Sequence, residues 1–278
     1  MQVDIKDEYI DVIKNGNTIR ISSRHIVYVR DIAMGFDYYF SSVSGDSKML
    51  DFSKPAQHNV VGFDKIPIMF PSFTEPTTST KQYIDFAKLE AGMTVLDLGA
   101  YSGLTSIMFS EVVGKSGSVI AVEADAENIE CAVVNINRYR DYSGHDIRLL
   151  YGAVWNHGNG VTFSNECNMG SSAVELVGAR GSVSRVKTFT LSDIAKMEGL
   201  QNVDFIKCDI EGAESVIFED ADFFRLYSPR IMIEVHNVNG VSTAQKCIND
   251  LERYGYTITE YAQPGVRHLL LGCVKGSK

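Results

Sequence analysis

The sequence predicts an α/β protein built on a mainly parallel sheet, and two patterns lead to this prediction. From about residue 76 onward, short apolar runs alternate with helical stretches, which is typical of parallel strands joined by crossover helices. The last two runs are close enough in sequence to pair as an antiparallel hairpin. The expected strands are residues 95–98, 119–123, 147–150, 204–208, 231–235, 257–261 and 268–274.

The chain is expected to divide into a β-rich extension at 1–75 and a main domain at 76–278. Within the main domain, a β-hairpin insertion is predicted at about 156–190, with a polar loop at 168–172. Its expected place beside the carboxyl ends of the strands makes it a candidate lid over a substrate, and an ordinary hairpin explains the pattern equally well. The extension and the insertion are expected to wall the substrate pocket, so the sequence does not define the substrate.

The extension contains strand-like runs at 18–22 and 26–30, followed by an aromatic patch at 36–40 for which a core strand is expected. Four of the six prolines lie between Pro55 and Pro76, which predicts a loop-rich passage into the main domain. A helix over about 78–88 then leads to the first strand of the sheet.

Composition narrows the class of protein. The chain has 26 basic and 35 acidic residues, a net charge of -9 and no basic cluster, which argues against nucleic acid as a partner. The polar N-terminus and the absence of an apolar run near the roughly twenty residues of a membrane span predict a cytoplasmic protein with no membrane association. The cysteines have no CxxC spacing and are expected to be reduced and mostly buried: Cys131, Cys167, Cys208, Cys247 and Cys273. The sequence does not decide whether the protein forms a homo-oligomer.

The turn after the first strand gives the strongest functional signal. It consists of small residues that let a ligand approach the backbone, and its candidate binding residues are Asp97, Gly99, Ala100, Tyr101, Ser102 and Gly103. The next strand ends in Glu123, where a carboxylate can accept hydrogen bonds from both hydroxyls of a ribose. Together they predict a nucleoside cofactor held across the first two strands, with a helix-opening turn that binds nothing as the alternative.

The glycine spacing selects among nucleoside cofactors. A dinucleotide site needs Gly-x-Gly-x-x-Gly, whereas Gly99 and Gly103 are separated by three residues. Asp97 beside the turn suits a ligand with positive charge and no phosphate. S-adenosylmethionine has a ribose, a sulfonium and an ammonium group, and it is therefore the predicted cofactor. A nicotinamide-dependent oxidoreductase is the alternative that the missing third glycine disfavours.

Two later strand ends supply candidate catalytic residues. Asp209 and Glu211 follow one strand, and Glu234 and His236 lie at the end of another. If the strands are neighbours, the four side chains converge, and histidine is well suited to remove a proton near neutral pH. Two carboxylates at one strand end repel each other unless a metal ion, a substrate hydroxyl or Lys207 compensates.

These motifs together resemble the FkbM family of methyltransferases over about residues 75–237. The most specific segment is 205–214, Phe-Ile-Lys-Cys-Asp-Ile-Glu-Gly-Ala-Glu; further matching segments are 95–103, Val122-Glu123-Ala124-Asp125 and 191–194. Two positions depart from the usual family pattern, Tyr101 in the turn and Ser192 in the last segment. The first 70 residues have no counterpart in this resemblance.

The resemblance implies a Rossmann-like seven-stranded fold and transfer of a methyl group from S-adenosylmethionine to a hydroxyl, commonly on a sugar or polyketide-type metabolite. Glu123 would bind the ribose, Asp97 would orient the ammonium group, and Ala153 and Val154 would flank the adenine. Ala124 is a further candidate for cofactor binding. His236 is the first candidate for the catalytic base and Asp209, which also borders the cofactor, the second.

Other roles stay open for the same residues. Asp209, Glu211 and Glu234 could hold Mg²⁺, because oxygen ligands suit a hard cation. Glu214, the last residue of the segment 205–214, could join these carboxylates or could only begin the next helix, where the helix dipole favours a carboxylate. A nucleoside-binding protein of the same fold without catalysis is the alternative function.

Overall fold

The structure, a computed structural model, describes residues 1–43, 49–165, 171–179, 182–263 and 268–276. The N-terminal part contains β1 (Gln2–Ile5), β2 (Tyr9–Lys14), β3 (Asn17–Ser22), a 3₁₀ helix (Ser23–Tyr28), α1 (Val29–Met34), α2 (Phe36–Val43), β4 (Ala56–Val60) and β5 (Phe63–Phe70). The following elements are α3 (Thr77–Ala87), β6 (Thr94–Leu98), α4 (Leu104–Val113), β7 (Ser118–Glu123), α5 (Ala126–Ser143), β8 (Arg148–Tyr151), β9 (Ala153–Val154), β10 (Val161–Asn165), β11 (Ser172–Ala173), α6 (Val174–Val177), β12 (Ser182–Val186) and β13 (Thr188–Phe189). The last are α7 (Leu191–Met197), β14 (Phe205–Cys208), α8 (Glu214–Ile217), α9 (Ala221–Leu226), β15 (Arg230–Glu234), β16 (Asn237–Val238), β17 (Val241–Ser242), α10 (Ala244–Glu252), β18 (Tyr256–Tyr261) and β19 (Leu270–Lys275).

A seven-stranded sheet in the order β18-β19-β15-β14-β6-β7-β8 organises the main part of the chain. Strand β19 runs antiparallel to both of its neighbours, and the remaining pairs are parallel. Every side chain of β6 and β14 is buried, as expected for central strands covered on both faces. The predicted Rossmann-like α/β fold is confirmed, and each expected strand end lies within two residues of the observed one.

Two segments of the N-terminal part are helical where strands were expected. Residues 26–30 belong to the 3₁₀ helix and α1, and the aromatic patch at 36–40 lies in α2. Phe36 and Tyr39 are both buried and pack with Ile32 in one apolar cluster. Because side chains three or four residues apart share one face of a helix, this packing outweighs the strand preference of β-branched and aromatic residues.

The proline-containing passage is a β-hairpin rather than the expected loop. Strands β4 and β5 pair antiparallel, and Pro55, Pro71 and Pro76 lie outside the paired segments. Pro67 lies within β5, at the register shift between His58 and Val60, where a missing N–H is tolerated. The Asn135 side chain in α5 bonds to both backbone groups of Met69, at 2.8 and 2.7 Å. An amide side chain thus takes the place of a neighbouring strand along β5.

The apolar core does not divide cleanly at residue 75. Residues of β2, β3, α1 and α2 form their own cluster, whereas the apolar side chains of β4 and β5 share a core with β6, α4 and α5. The division at 1–75 and 76–278 stays a prediction, and the packing ties the end of the first part to the second.

The insertion forms a small antiparallel sheet in the order β11-β10-β12. Its register runs from Val161 opposite Val186 to Asn165 opposite Ser182. Of the polar loop expected at 168–172, residues 168–170 lie outside the described part of the chain. Strand β13 returns to pair in parallel with β9, which fixes the insertion beside the end of β8.

The four described cysteines, Cys131, Cys208, Cys247 and Cys273, are free and buried, and Cys167 lies outside the described residues. Among the helices that the structure describes, none combines the length and apolar character needed to cross a membrane.

Candidate active site

The loop after β6 packs directly against the loop after β14. A Cβ at Gly99, where φ is +81°, would lie 1.8 Å from the backbone oxygen of Asp209, so only glycine fits. The amides of Gly99 and Ala100 both donate to Val122 O at 3.0 Å, and the amide of Gly103 donates to Ala100 O at 2.7 Å. These N–H groups are therefore satisfied within the protein, and the loop contributes shape to the site.

Glu123 is held in place by three backbone amides. Its Oε2 accepts from Tyr101 N at 2.7 Å, and its Oε1 accepts from Ala124 N at 2.9 Å and Asp125 N at 2.8 Å. Burial raises the pKa of Glu123 to about 7, although these amides oppose the shift. The carboxyl group is thus fixed in position at the end of β7.

A cavity of about 680 Å³ lies at the carboxyl ends of β6, β7 and β8, and we call it the Glu123 cavity. Glu123, Asn128 and Ser171 contribute polar lining. Its apolar lining includes Ala124, Ala153, Val154, Trp155, Phe163 and Ala173. The residues predicted around an adenine thus lie on one cavity with the residue predicted for the ribose, and the insertion supplies part of the wall.

Lys207 of β14 is the buried cation of the site. Its Nζ donates to Gly99 O at 2.6 Å and lies 3.5 Å from Asp97 Oδ1 and 3.4 Å from Asp209 Oδ2. Burial opposes the charge, but Asp209 and Asp97 outweigh it and raise the pKa of Lys207. Asp97 is fully buried, accepts from Ser106 Oγ at 2.5 Å and does not line the Glu123 cavity.

The ring nitrogens of His236 lie within 4.0 Å of four carboxyl groups. Its Nδ1 is 3.0 Å from Glu214 Oε1, and its Nε2 is 3.4 Å from Glu211 Oε1, 3.6 Å from Asp209 Oδ1 and 4.0 Å from Glu234 Oε1. Burial lowers the pKa of His236, but Glu211 and Glu214 outweigh this and raise it well above its usual range. The structure brings together the four predicted catalytic residues.

Glu214 begins α8, as predicted for a helix-start residue, and it also binds groups outside that helix. Its fully buried carboxylate accepts from the amides of Gly212 at 2.8 Å and His236 at 3.1 Å and from Thr243 Oγ1 at 2.9 Å. The group therefore ties the loop after β14 to the end of β15.

Glu234 is engaged from the other side by residues near the β18–β19 turn. Its Oε1 lies 2.8 Å from His268 Nδ1, and its Oε2 accepts from Gln263 Nε2 at 2.8 Å. The rings of His236 and His268 are 4.7 Å apart and nearly perpendicular. His268 and Gln263 could not be grouped with this site from the sequence, because both lie far along the chain from Glu234.

A second cavity, of about 1590 Å³, lies between the N-terminal part and the same strand ends, and we call it the His268 cavity. Aromatic side chains line one portion: Tyr28, Tyr38, Tyr39 and Phe73. The strand ends contribute charged and polar side chains: Lys207, Asp209, Glu211, Glu234, Gln263 and His268. The N-terminal part therefore supplies a wall of this cavity.

Three carboxyl groups, those of Glu75, Asp209 and Glu211, line both cavities. Glu75 precedes α3, accepts from Ser102 Oγ at 2.9 Å, and has its pKa raised to about 8 by burial. Sequence reasoning missed Glu75, since a single acid beside Pro76 forms no motif. The two cavities thus meet at these three side chains.

The remaining turn residues surround this junction. Tyr101 has φ of +48°, lines the Glu123 cavity, and donates through its hydroxyl to Phe73 O at 2.8 Å. Ala100 and Ser102 are buried, and Gly103 begins α4 with φ of +78°. Of the predicted turn residues, Gly99 and Tyr101 line the cavity, and the others support them.

Sequence comparison identifies the family. A model of the FkbM methyltransferase domain matches residues 97–258, which is more than half of the chain. None of the curated proteins that were compared matches the chain significantly.

Several solved structures are similar to this chain at low sequence identity. The FkbM methyltransferase from Methylobacillus flagellatus is 16% identical, with a TM-score of 0.46 over 69% of this chain and 50% of that one. The O-methyltransferase TomG from Streptomyces achromogenes, solved in complex with S-adenosylmethionine, is 13% identical, with a TM-score of 0.47 over 74% and 83%. A precorrin-6y C5,15-methyltransferase from Geobacter metallireducens is 13% identical, with a TM-score of 0.46 over 73% and 90%.

Proposed function

The chain belongs to the FkbM methyltransferase family, and we propose that it transfers a methyl group from S-adenosylmethionine to a hydroxyl oxygen of a small metabolite. The observation that supports this most directly is the junction of two cavities at Glu75, Asp209 and Glu211. Methyl transfer needs a donor and an acceptor held on either side of one point, because the reacting atoms must be aligned.

The Glu123 cavity fits the proposed cofactor. Trp155 and Phe163 line it and offer ring faces for an adenine. Glu123 presents a fixed carboxyl group for the ribose hydroxyls. When bound, S-adenosylmethionine would supply the methyl group as a sulfonium substituent.

The methionine portion is proposed to lie near Gly99 and Tyr101, toward Glu75. Asp97 is predicted to orient the ammonium group, and its burial beneath Lys207 and Ser106 makes any such effect indirect. Glu75 lines the cavity directly and is the carboxyl group best placed to meet a cation there.

The His268 cavity suits a hydroxylated acceptor with apolar faces, such as a sugar or a polyketide-type compound. Tyr28, Tyr38 and Phe73 can pack against the flat or apolar side of a ring, while carboxylates at the strand ends accept hydrogen bonds from hydroxyl groups. The same carboxylates disfavour phosphorylated or carboxylated acceptors, since like charges repel.

Asp209 is the proposed acceptor of the hydroxyl proton, because its carboxylate lines both cavities. His236, the first candidate on sequence grounds, is 6% exposed and lines neither cavity, so it would act behind Asp209, at 3.6 Å. In the proposed reaction the oxygen loses its proton and forms the new bond to carbon as the bond from sulfur to that carbon breaks.

Calorimetric titration of the purified protein with S-adenosylmethionine tests the cofactor. Binding by the unaltered chain that is lost in Glu123→Ala and kept in Glu130→Ala, an exposed carboxylate on the neighbouring helix, would support the assignment. No binding by folded, cofactor-free protein would contradict it, and a parallel titration with reduced nicotinamide nucleotide tests the oxidoreductase alternative.

Acceptors are then found by incubating the protein with S-adenosylmethionine and hydroxylated compounds and measuring the demethylated cofactor. Turnover with neutral sugars or polyketide-type compounds is the expected result. Cofactor binding with no turnover on any class of acceptor would favour the nucleoside-binding alternative. A cytoplasmic location and the lack of a nucleic-acid partner stay predictions.

A further inference from the structure

We propose that Asp209, Glu211 and His236 bind a divalent first-row transition-metal ion at the junction of the Glu123 and His268 cavities. The inference deepens the proposed function and rests on it, because the ion would lie where the acceptor hydroxyl is expected. It differs from the Mg²⁺ set suggested by the sequence, which used Glu234 and no nitrogen ligand.

The first supporting observation is an unpartnered atom. His236 is 6% exposed, and its Nε2 is buried without a hydrogen bond of normal geometry. It faces Glu211 Oε1 at 3.4 Å and Asp209 Oδ1 at 3.6 Å. Buried polar atoms in folded proteins nearly always have a partner, so an atom aimed at two carboxylates and bonded to neither points to a group between them.

The second observation is the support behind the histidine. Glu214 Oε1 lies 3.0 Å from His236 Nδ1, and the same carboxyl group is fixed by Gly212 N at 2.8 Å and Thr243 Oγ1 at 2.9 Å. Histidines that bind metals usually donate the other ring N–H to a carboxylate, which leaves the second nitrogen as the ligand. Nε2 therefore faces Asp209 and Glu211, and an ion bound there would displace the Nε2 proton, since a ligand nitrogen must be deprotonated.

The spacing also fits a single ion. Ligand atoms about 2.1 Å from an ion, at angles of about 90–110°, are roughly 3.0–3.4 Å from each other. The observed 3.4 and 3.6 Å separations from Nε2 are close to these values. Lys207 lies 3.4 Å from the other oxygen of Asp209, so Oδ1 is the oxygen turned toward the histidine.

The donor set selects the kind of ion. One imidazole nitrogen with two carboxylate oxygens suits Mn²⁺, Fe²⁺, Co²⁺ or Zn²⁺, whereas Mg²⁺ and Ca²⁺ prefer oxygen alone. The alternative trio of Glu234, His236 and His268 also brings its ligand atoms together. There, however, Glu234 is already bonded to His268 at 2.8 Å and to Gln263 at 2.8 Å.

Such an ion would activate the acceptor. Coordination would lower the pKa of a bound hydroxyl. Because Asp209 and Glu211 would then serve as ligands, water in the His268 cavity would replace Asp209 as the acceptor of the proton in the ion-bound protein. The oxygen electron pair then forms the bond to the methyl carbon, and the pair of the broken bond returns to sulfur.

Titration of chelator-treated full-length protein with Mn²⁺, followed by the electron paramagnetic resonance signal of free Mn²⁺, tests the site. The unaltered protein should bind one ion and prefer Mn²⁺ to Mg²⁺. Asp209→Asn and Glu211→Gln should each weaken Mn²⁺ binding at least about tenfold. Loss of a residue that only supports a metal ligand typically weakens binding about 10–100-fold, so loss of a ligand should cost at least as much. His236→Asp should remove the preference for Mn²⁺ over Mg²⁺. Glu252→Gln, which changes an exposed carboxylate of α10, is the control.

Two results would overturn the proposal: no Mn²⁺ binding by folded unaltered protein, or binding lost in Glu234→Gln and His268→Ala but kept in Asp209→Asn and Glu211→Gln. The calorimetric titration separates the two levels of inference. Cofactor binding without metal binding would overturn the metal site and leave the methyltransferase proposal intact. Metal binding without cofactor binding would overturn the methyltransferase proposal and leave the metal site.

Discussion

The Glu123 cavity and the His268 cavity share one edge of the sheet but are built in different ways. The first takes most of its lining from short segments that directly follow β6, β7, β8 and β14, with the insertion added. The second is assembled from α1, α2 and α3 on one side and from β15 and the β18–β19 turn on the other. Local motifs therefore encode the first cavity, whereas the second exists only after distant parts of the chain have packed.

The strongest test of this difference is Gly99→Ala, which should damage both cavities. The added Cβ would meet Asp209 O at 1.8 Å on a backbone with φ of +81°, so we expect a loss of roughly 3 kcal/mol or more in the free energy of unfolding. Urea denaturation measures it. Gly16→Ala, with the same φ and no atom within 4 Å, is the control and should lose only about 1 kcal/mol. Equal losses in the two variants would contradict the close packing of the loops.

Trp155→Ala should affect the Glu123 cavity alone. Removing this ring is expected to weaken S-adenosylmethionine binding about tenfold, equivalent to about 1.4 kcal/mol. The KM for the acceptor at saturating cofactor should stay unchanged. Tyr151→Ala, which removes a half-exposed ring from neighbouring β8, is the matched control. A shift in acceptor KM as large as the shift in cofactor affinity would show that the cavities are not separable.

The pH dependence of cofactor binding gives a smaller effect. Burial raises the pKa of Glu123 to about 7, and ribose hydroxyls bind the ionised group better. Affinity should therefore rise up to about tenfold from pH 6 to 8, as the ionised fraction grows. The same raised pKa affects the free energy of unfolding of the protein without cofactor. Glu123 contributes most to this stability below the ordinary pKa of a glutamate, and the contribution is lost as the pH rises through about 7. Calorimetry and urea denaturation across this range should show both trends reduced in Glu123→Gln.

The smallest expected effect lies in the His268 cavity. Tyr28 stacks on Phe73 with ring centres 4.5 Å apart, and both line the cavity. Tyr28→Ala should raise the KM for the acceptor about fivefold through lost contact with the substrate. Cofactor affinity should change less than twofold. Val27→Ala, an exposed neighbour, should change neither quantity, and a cofactor defect in Tyr28→Ala would contradict the assignment of the two cavities.

The success of the sequence-based predictions follows the same division. Apolar runs located the central strands of the main sheet, because those strands are covered on both faces. The edge strands β8 and β18 are only partly buried, and their shorter apolar patterns were still sufficient to place them. The sequence also placed Glu123, Asp209, Glu211, Glu234 and His236 at one edge of the sheet, because each lies at or just after the end of a predicted strand. Their roles stay predictions.

Predictions failed where packing overrides local preference. Residues 26–30 and 36–40 look like strands, yet α1 and α2 bury Phe36 and Tyr39 on one helical face. Glu75 and His268 could not be found from sequence, since only the folded chain brings them to Asp209 and Glu234. The amides of the glycine turn could not be recognised as occupied, because their acceptor, Val122 O, is on the next strand.

The N-terminal wall of the His268 cavity has its own apolar core, formed by β2, β3, α1 and α2. Side chains on that wall can therefore change without disturbing the strand ends that hold the carboxylates. Over evolutionary time, a lineage could acquire a new acceptor by altering this wall while inheriting the same chemistry. Divergence among relatives with different acceptors should accordingly concentrate in residues 28–39, with the strand ends changing least.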